Sequence, residues 1–128
     1  KGHIARAALE ALALQSMEVV ETMSLDSNIE IKELRVDGGA SANDLLMQIQ
    51  SDIAELKVIR PKIIETTAQG VAFMAGLHIG YWESIEEIQS LWTAEKKFIP
   101  EEMNLHSIKK NWKKAVQRAK SWVEKENI

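Results

Sequence analysis

Two adjacent glycines stand between an extended stretch and a helical one, in the run from Leu34 through Asp37, Gly38, Gly39 and Ala40 to Asn43. In an open parallel sheet, ligands bind beyond the carboxyl ends of the strands. A glycine pair there permits both a sharp turn and close approach of the backbone to a flat ligand, and the helix that follows points its amide end at the same space. The pair serves either the turn alone or a ligand as well, and local reasoning leaves both open. Asn43 falls in the first turn of that helix and offers a donor and an acceptor to a ligand edge; alternatively, it serves its own backbone. No G-x-G-x-x-G run and no G-x-x-x-x-G-K-[ST] run occurs, which removes the common dinucleotide and P-loop sites.

Other reactive residue types carry less. Lys109, Lys110, Lys113, Lys114, Arg118 and Lys120 resemble a phosphate-binding stripe. They lie mostly opposite the face of Ile108, Trp112, Ala119 and Trp122, as a solvated helix face does, so no nucleic-acid partner is expected. Trp82, Trp92, Trp112 and Trp122 lack the basic interleaving of single-strand binders and read as packing anchors. His3, His78 and His106 are too scattered for a metal cage. There is no Cys, hence no disulfide framework and no thiolate metal site, in agreement with a reducing compartment; the cytoplasm is the default expectation. No apolar run is long enough to span a bilayer, so no membrane role is expected.

The elements that must position the glycine turn can be read from periodicity and punctuation. Ile4 to Met23 repeats at helical spacing, with Leu9, Leu12, Ser16, Val19 and Met23 on one face. Asp26-Ser27-Asn28 ends that helix. An extended segment from Ile29 to Val36 leads into the turn. Ser41 with Asp44 predicts a capping box for the next helix, whose core face is Leu46, Ile49 and Ile53. A second strand, Lys57 to Ile59, stops at Arg60-Pro61. Thr66 with Gln69 repeats the capping signature and opens a helix to Gly80, along which Ala68, Ala72, Gly76 and Gly80 form a stripe that lets a neighbouring backbone come close. Gly costs about 1 kcal/mol relative to Ala in a helix interior, so Gly70 and Gly76 need a packing or ligand reason. Ser84 with Glu87 caps a helix to about Trp92, and a last helix begins near Leu105. Helix, strand, helix, strand, helix is the rhythm of an α/β layer with short parallel strands and long helices.

Composition is ordinary for a globular domain: 128 residues, 45% hydrophobic and 27% charged. Charge is unevenly shared, with a net of −7 over residues 1–93 and +4 over residues 94–128. Two strands alone make a poor sheet, and the chain begins at Lys1 in a helical pattern; both features suggest a piece of something longer.

A resemblance extends over most of these elements. The stretch LRVDGGASANDLLMQIQSDI, residues 34–53, resembles the adenine-side motif of the FGGY carbohydrate kinases, and Met47-Gln48 with Gln50-Ser51-Asp52-Ile53 is similar to the form found in the glycerol kinase branch of that family. Glu65 to Leu77 resembles the next family helix, and Gly80-Tyr81-Trp82 the segment after it. His3 to Glu10 resembles the closing half of a family signature, and Trp112 to Val116 the terminal helix. The resemblance implies two actin-like (ribonuclease H-like) domains around a cleft, with this chain as the later half of the second. Residues 1–80 would form a nucleotide-side core and residues 81–128 C-terminal helices. It further implies that Gly39 and Asn43 contact the adenosine part of ATP, with Gly38 and Ala40 beside them. The catalytic Asp, the glycerol-binding residues and the phosphate loops would precede Lys1. On that basis the full-length enzyme uses ATP and Mg2+ to phosphorylate glycerol, and this stretch, partnered by the remainder of the kinase chain, is inactive alone. A kinase for another polyol or sugar, or a nonenzymatic helical interaction module, are the alternatives. The oligomeric state is left open, a homo-oligomer included.

Overall fold

The structure, a computed structural model, describes residues 1–101 and 104–120. Helix α1 runs Gly2–Ser27 and closes on Asn28, whose left-handed backbone (φ 54°) lets its N–H reach the Leu25 carbonyl. The buried stripe of α1 is Ala13, Leu14 and Met17, not the predicted Leu12, Val19 and Met23, which stay exposed. The physical reason is that α1 is apolar on two faces. One packs on Ile49 and Ile53 of α2 (Asp44–Ala54), and the other lines an open groove beside strand β1 (Glu33–Arg35). The predicted core face of α2 is buried as expected, joined by Met47 and Gln50.

Strand β1 pairs in parallel with β2 (Lys57–Pro61), Leu34 opposite Val58. A third strand, β3 (Ala94–Phe98), pairs antiparallel with β2, giving the order β1-β2-β3 and a mixed sheet. Residues 81–128 therefore contribute a strand as well as helices. β3 escapes a reading by periodicity because Ala94-Glu95-Lys96-Lys97-Phe98 buries only Phe98; it is a charged edge strand, and its place is set by pairing. Leu46, Met47, Val58 and Phe98 form the core between sheet and α2.

Beyond β2, helix α3 spans Thr66–His78, ending before the predicted Gly80. The Thr66/Gln69 cap does not form; the N-cap position is Glu65, and the Thr66 hydroxyl donates to the Asp37 carboxylate instead. α3 is apolar on every face, yet Val71 and Met74 are exposed. Gly76 alone is buried, and what approaches it is the indole of Trp82 rather than a backbone. Gly70 has open space around it, and nothing in the structure explains it. Helix α4 (Ile85–Ser90) is capped as predicted, Ser84 Oγ accepting from the Glu87 N–H at 3.2 Å, though it stops short of Trp92. Helix α5 (His106–Ala119) lays Ile108 and Trp112 against the α1–α2 core. Its Lys109 pairs with Glu55 at 2.5 Å. Trp122, expected on the same face, lies outside the described residues.

Candidate functional site

Because β1 and β2 run parallel, the connections that leave their carboxyl ends lie side by side. The Gly38 N–H donates to the Ile64 carbonyl at 2.8 Å, and the Thr66–Asp37 bond ties the start of α3 to the same turn. Gly38 has φ 73° and ψ 170°, a combination reached essentially by glycine alone. The turn itself therefore explains Gly38. Its carbonyl accepts from the Ser41 N–H at 3.1 Å and from the Ser41 hydroxyl at 2.7 Å, folding residues Gly39–Ala42 into one 3-10 turn.

Those bonds correct the predicted capping box. Ser41 is buried and turned back onto Gly38, and Asn43 is the N-cap of α2, its Oδ1 accepting from the Leu46 N–H at 3.1 Å. Asn is among the strongest N-cap residues, and that preference is the signal the sequence carries. With Oδ1 engaged, the carboxamide NH2 of this exposed side chain is what Asn43 can direct at a ligand. Among the described residues nothing accepts from it.

Gly39 differs from Gly38. Its φ lies outside the left-handed region, and a Cβ built on it meets nothing within 4 Å. Among the described residues no contact requires glycine there, and the space in front of it is open. Ala40 is exposed and, with Asp37 and Ser41, edges a groove of about 490 Å³ walled by Leu34, Val36 and the second apolar face of α1. Gly38, Gly39 and Asn43 do not line that groove. Gly38, Gly39 and Ala40 are consecutive and Asn43 closes the same turn, so the four candidate residues form an open wall rather than an enclosed pocket.

Arg60, read from the sequence only as the end of a strand, is part of this structure. It is buried under the turn, and Nη1 donates to the Ser41 carbonyl and to Asp44 Oδ1, each at 2.8 Å. Its Nε donates to Glu95 Oε2 at 2.7 Å, and this bond above all pushes the guanidinium pKa further up. The Asp44 carboxyl is held below the usual carboxylate range, first by Lys96 at 2.6 Å and then by Arg60. A lone Arg in the otherwise apolar end of a strand is the available clue, since buried charges are paired.

Gln50 lines the same groove, and its Nε2 is buried without a partner among the described residues. Among the described residues no three His, Cys, Asp or Glu side chains cluster to hold a metal ion, and no helix is long and apolar enough to cross a membrane.

The model of the FGGY family of carbohydrate kinases, C-terminal domain, matches residues 1–79. The chain belongs to the FGGY family of carbohydrate kinases. Among its relatives, a glycerol kinase of Deinococcus radiodurans is 56% identical over 124 residues, covering 95% of this chain and 25% of that protein. A glycerol kinase of Borreliella burgdorferi is 55% identical over 127 residues, covering 97% and 25%. The crystal structure of Plasmodium falciparum glycerol kinase with ADP superposes with a TM-score of 0.75 at 36% identity, over 94% of this chain and 25% of that one. A gluconate kinase of Lactobacillus acidophilus, 17% identical with a TM-score of 0.65 and covering 90% and 22%, shares the fold. This FGGY chain thus spans about a quarter of the length of the relatives it matches. The α/β architecture expected from the sequence stands, with β3 added in the antiparallel sense.

Proposed function

We propose that these residues form the adenine side of the ATP site of a glycerol kinase, which transfers the γ-phosphoryl group of MgATP to a terminal hydroxyl of glycerol. One observation carries the reading: Gly39, on the turn beyond the carboxyl end of β1, needs neither its backbone freedom nor its lack of a side chain for any contact among the described residues. Its role is to leave room, and a purine face laid against the backbone is what would fill that room. Asn43 presents its NH2 to an acceptor on the base edge, Gly38 makes the turn, and Ala40 keeps the flank small. The alcohol is supported by the glycerol kinases among the relatives, and the nucleotide by the Plasmodium glycerol kinase solved with ADP.

The wall is open, so the remainder of a kinase chain is its natural partner. The unpaired Gln50 amide and the exposed apolar faces of α1 and α3 support the same view, since a helix that is apolar all round is ordinarily buried. Residues 1–80 supply the nucleotide-side core, while residues 81–128 buttress it through β3 and α5. Mg2+ neutralises phosphate charge in such transfers; the described residues form no cluster to hold it, and no ligand to it is assigned to this chain. Alone, these residues hold ATP at millimolar strength at best, on the order of −4 kcal/mol, and turn over nothing. The cytoplasm is the proposed setting.

The test is ADP release coupled to NADH oxidation in the full-length protein containing these residues. Glycerol is the accepted alcohol, in preference to longer polyols and sugars. Gly39→Val places a branched side chain where the base would lie and raises the KM for ATP about tenfold, equivalent to about 1.4 kcal/mol, while the KM for glycerol is unchanged. If both constants stayed at their original values, the assignment of this turn to ATP would be wrong.

A further inference from the structure

We infer that Arg60 is a positioning residue for nucleotide recognition: through the Ser41 carbonyl and the Asp44 carboxylate it fixes where Gly39 and Asn43 stand. The inference rests on the adenine-side reading above.

Arg60 is the penultimate residue of β2, and its side chain is 10% exposed. It is held on three sides by Ser41 O, Asp44 Oδ1 and Glu95 Oε2. One of these partners lies within the recognition segment and another directly follows it. Ser41 lies inside the 3-10 turn, two residues after Gly39, and Asp44 follows Asn43 directly. The Ser41 N–H and hydroxyl are both spent on Gly38, inside the turn itself. The Ser41 carbonyl therefore ties the turn to the sheet, and the donor that meets it is charged and buried.

The guanidinium is buried, but Asp44 and Glu95 are about half exposed, and ion pairs to such carboxylates add little net stability. Their distinctive contribution is geometry, because a guanidinium is a rigid fork that engages several acceptors at fixed angles and an ammonium is not. The clamp reaches further through Asp44, whose second oxygen accepts from Lys96 at 2.6 Å. Glu95 and Lys96 are neighbours on β3. The strand that periodicity does not reveal thus supplies Arg60 with one anchor and Asp44 with another. A shift of Asn43 by a fraction of a hydrogen-bond length would turn its NH2 away from the base while leaving the reacting phosphates untouched. Binding of nucleotide in the ground and transition states would weaken together, so KM should move and kcat should not.

The experiment uses the full-length protein containing these residues, with Arg60→Lys, Glu95→Gln and Gly39→Val assayed against ATP and GTP. Arg60→Lys raises the KM for ATP about three- to tenfold, leaves kcat and the KM for glycerol within about twofold, and lowers the preference for ATP over GTP by a similar factor. Glu95→Gln, which keeps an acceptor oxygen for Arg60, gives a smaller change in the same direction and carries the test if Arg60→Lys does not fold. Equal losses in kcat and both KM values, or an unchanged ATP to GTP ratio, would show Arg60 to be structural only and overturn the inference. The two readings fail separately. An effect of Gly39→Val on the KM for ATP with none from Arg60→Lys or Glu95→Gln sinks only the positioning role; no effect of Gly39→Val sinks the adenine-side reading and this inference with it.

Discussion

Replacing Gly76 by alanine puts the packing of α3 to a quantitative test. A Cβ on Gly76 would stand 2.1 Å from Cζ3 and 2.3 Å from Cε3 of Trp82, whereas ordinary contact begins near 3.4 Å. The indole must therefore retreat by roughly the 1.3 Å that separates 3.4 from 2.1. Two edge-to-face contacts hold it, with Phe73 at 5.1 Å and Tyr81 at 4.8 Å between centroids. Such pairs contribute about 0.5–1.5 kcal/mol each, and forced overpacking costs about 1–3 kcal/mol. Trp82 is only half-buried, so the ring can swing toward solvent, which places the cost at the low end. Alanine returns about 1 kcal/mol through helix propensity. The balance is a local loss of about 1 kcal/mol, or an opening of α3 about five times more frequent. Hydrogen exchange of the α3 amides in the full-length protein, read by mass spectrometry, measures that factor. Gly70→Ala is the control: its Cβ meets open space, so exchange should slow by up to about fivefold, the equivalent of about 1 kcal/mol. If Gly76→Ala slowed exchange as Gly70→Ala does, the account of Trp82 as the reason for this glycine would be refuted.

Asn43→Asp separates the two jobs of Asn43. Aspartate keeps the acceptor for the Leu46 N–H, so thermal stability is retained, but it removes the NH2, so the KM for ATP rises about tenfold; Asn43→Ala loses the cap as well, at about 1 kcal/mol. Gly38→Ala forces an L side chain into a backbone region reserved for glycine and costs about 1–3 kcal/mol, visible as a lower urea midpoint. The Asp44 carboxyl, depressed by Lys96 and then Arg60, contributes stability that is present above its unfolded pKa and lost as the pH falls through the lower folded value. The Tm difference between the parent and Asp44→Asn should accordingly be full at neutral pH and vanish in acid, and a difference independent of pH would contradict this.

Much of the fold is legible in the residues themselves. Turn residues mark the starts of α2, α3 and α4 because they act locally, although of the three predicted caps only that of Ser84 forms, and the α2 core face follows from helical spacing. What stays hidden is nonlocal. Two apolar faces on α1 offer no local way to choose which one α2 will cover, so periodicity favours Leu12, Val19 and Met23 over the buried Ala13, Leu14 and Met17. β3 is a strand because β2 offers it an edge, and nothing in Glu95-Lys96-Lys97 demands that state. At the site, the glycines and Asn43 are visible as chemistry. Arg60 is not, since its significance lies in partners 19, 16 and 35 positions away.

The two margins of the sheet are unlike, and the difference gives the sheet a direction of growth. On one side, β3 ends the layer with exposed Glu95, Lys96 and Lys97, charges that discourage another strand from pairing there. On the other, β1 carries no neighbour among the described residues and has an apolar groove at its flank. Further strands can join at β1 alone. That margin is therefore where the remainder of a kinase chain would continue the layer, while the charged border at β3 would remain its outer limit.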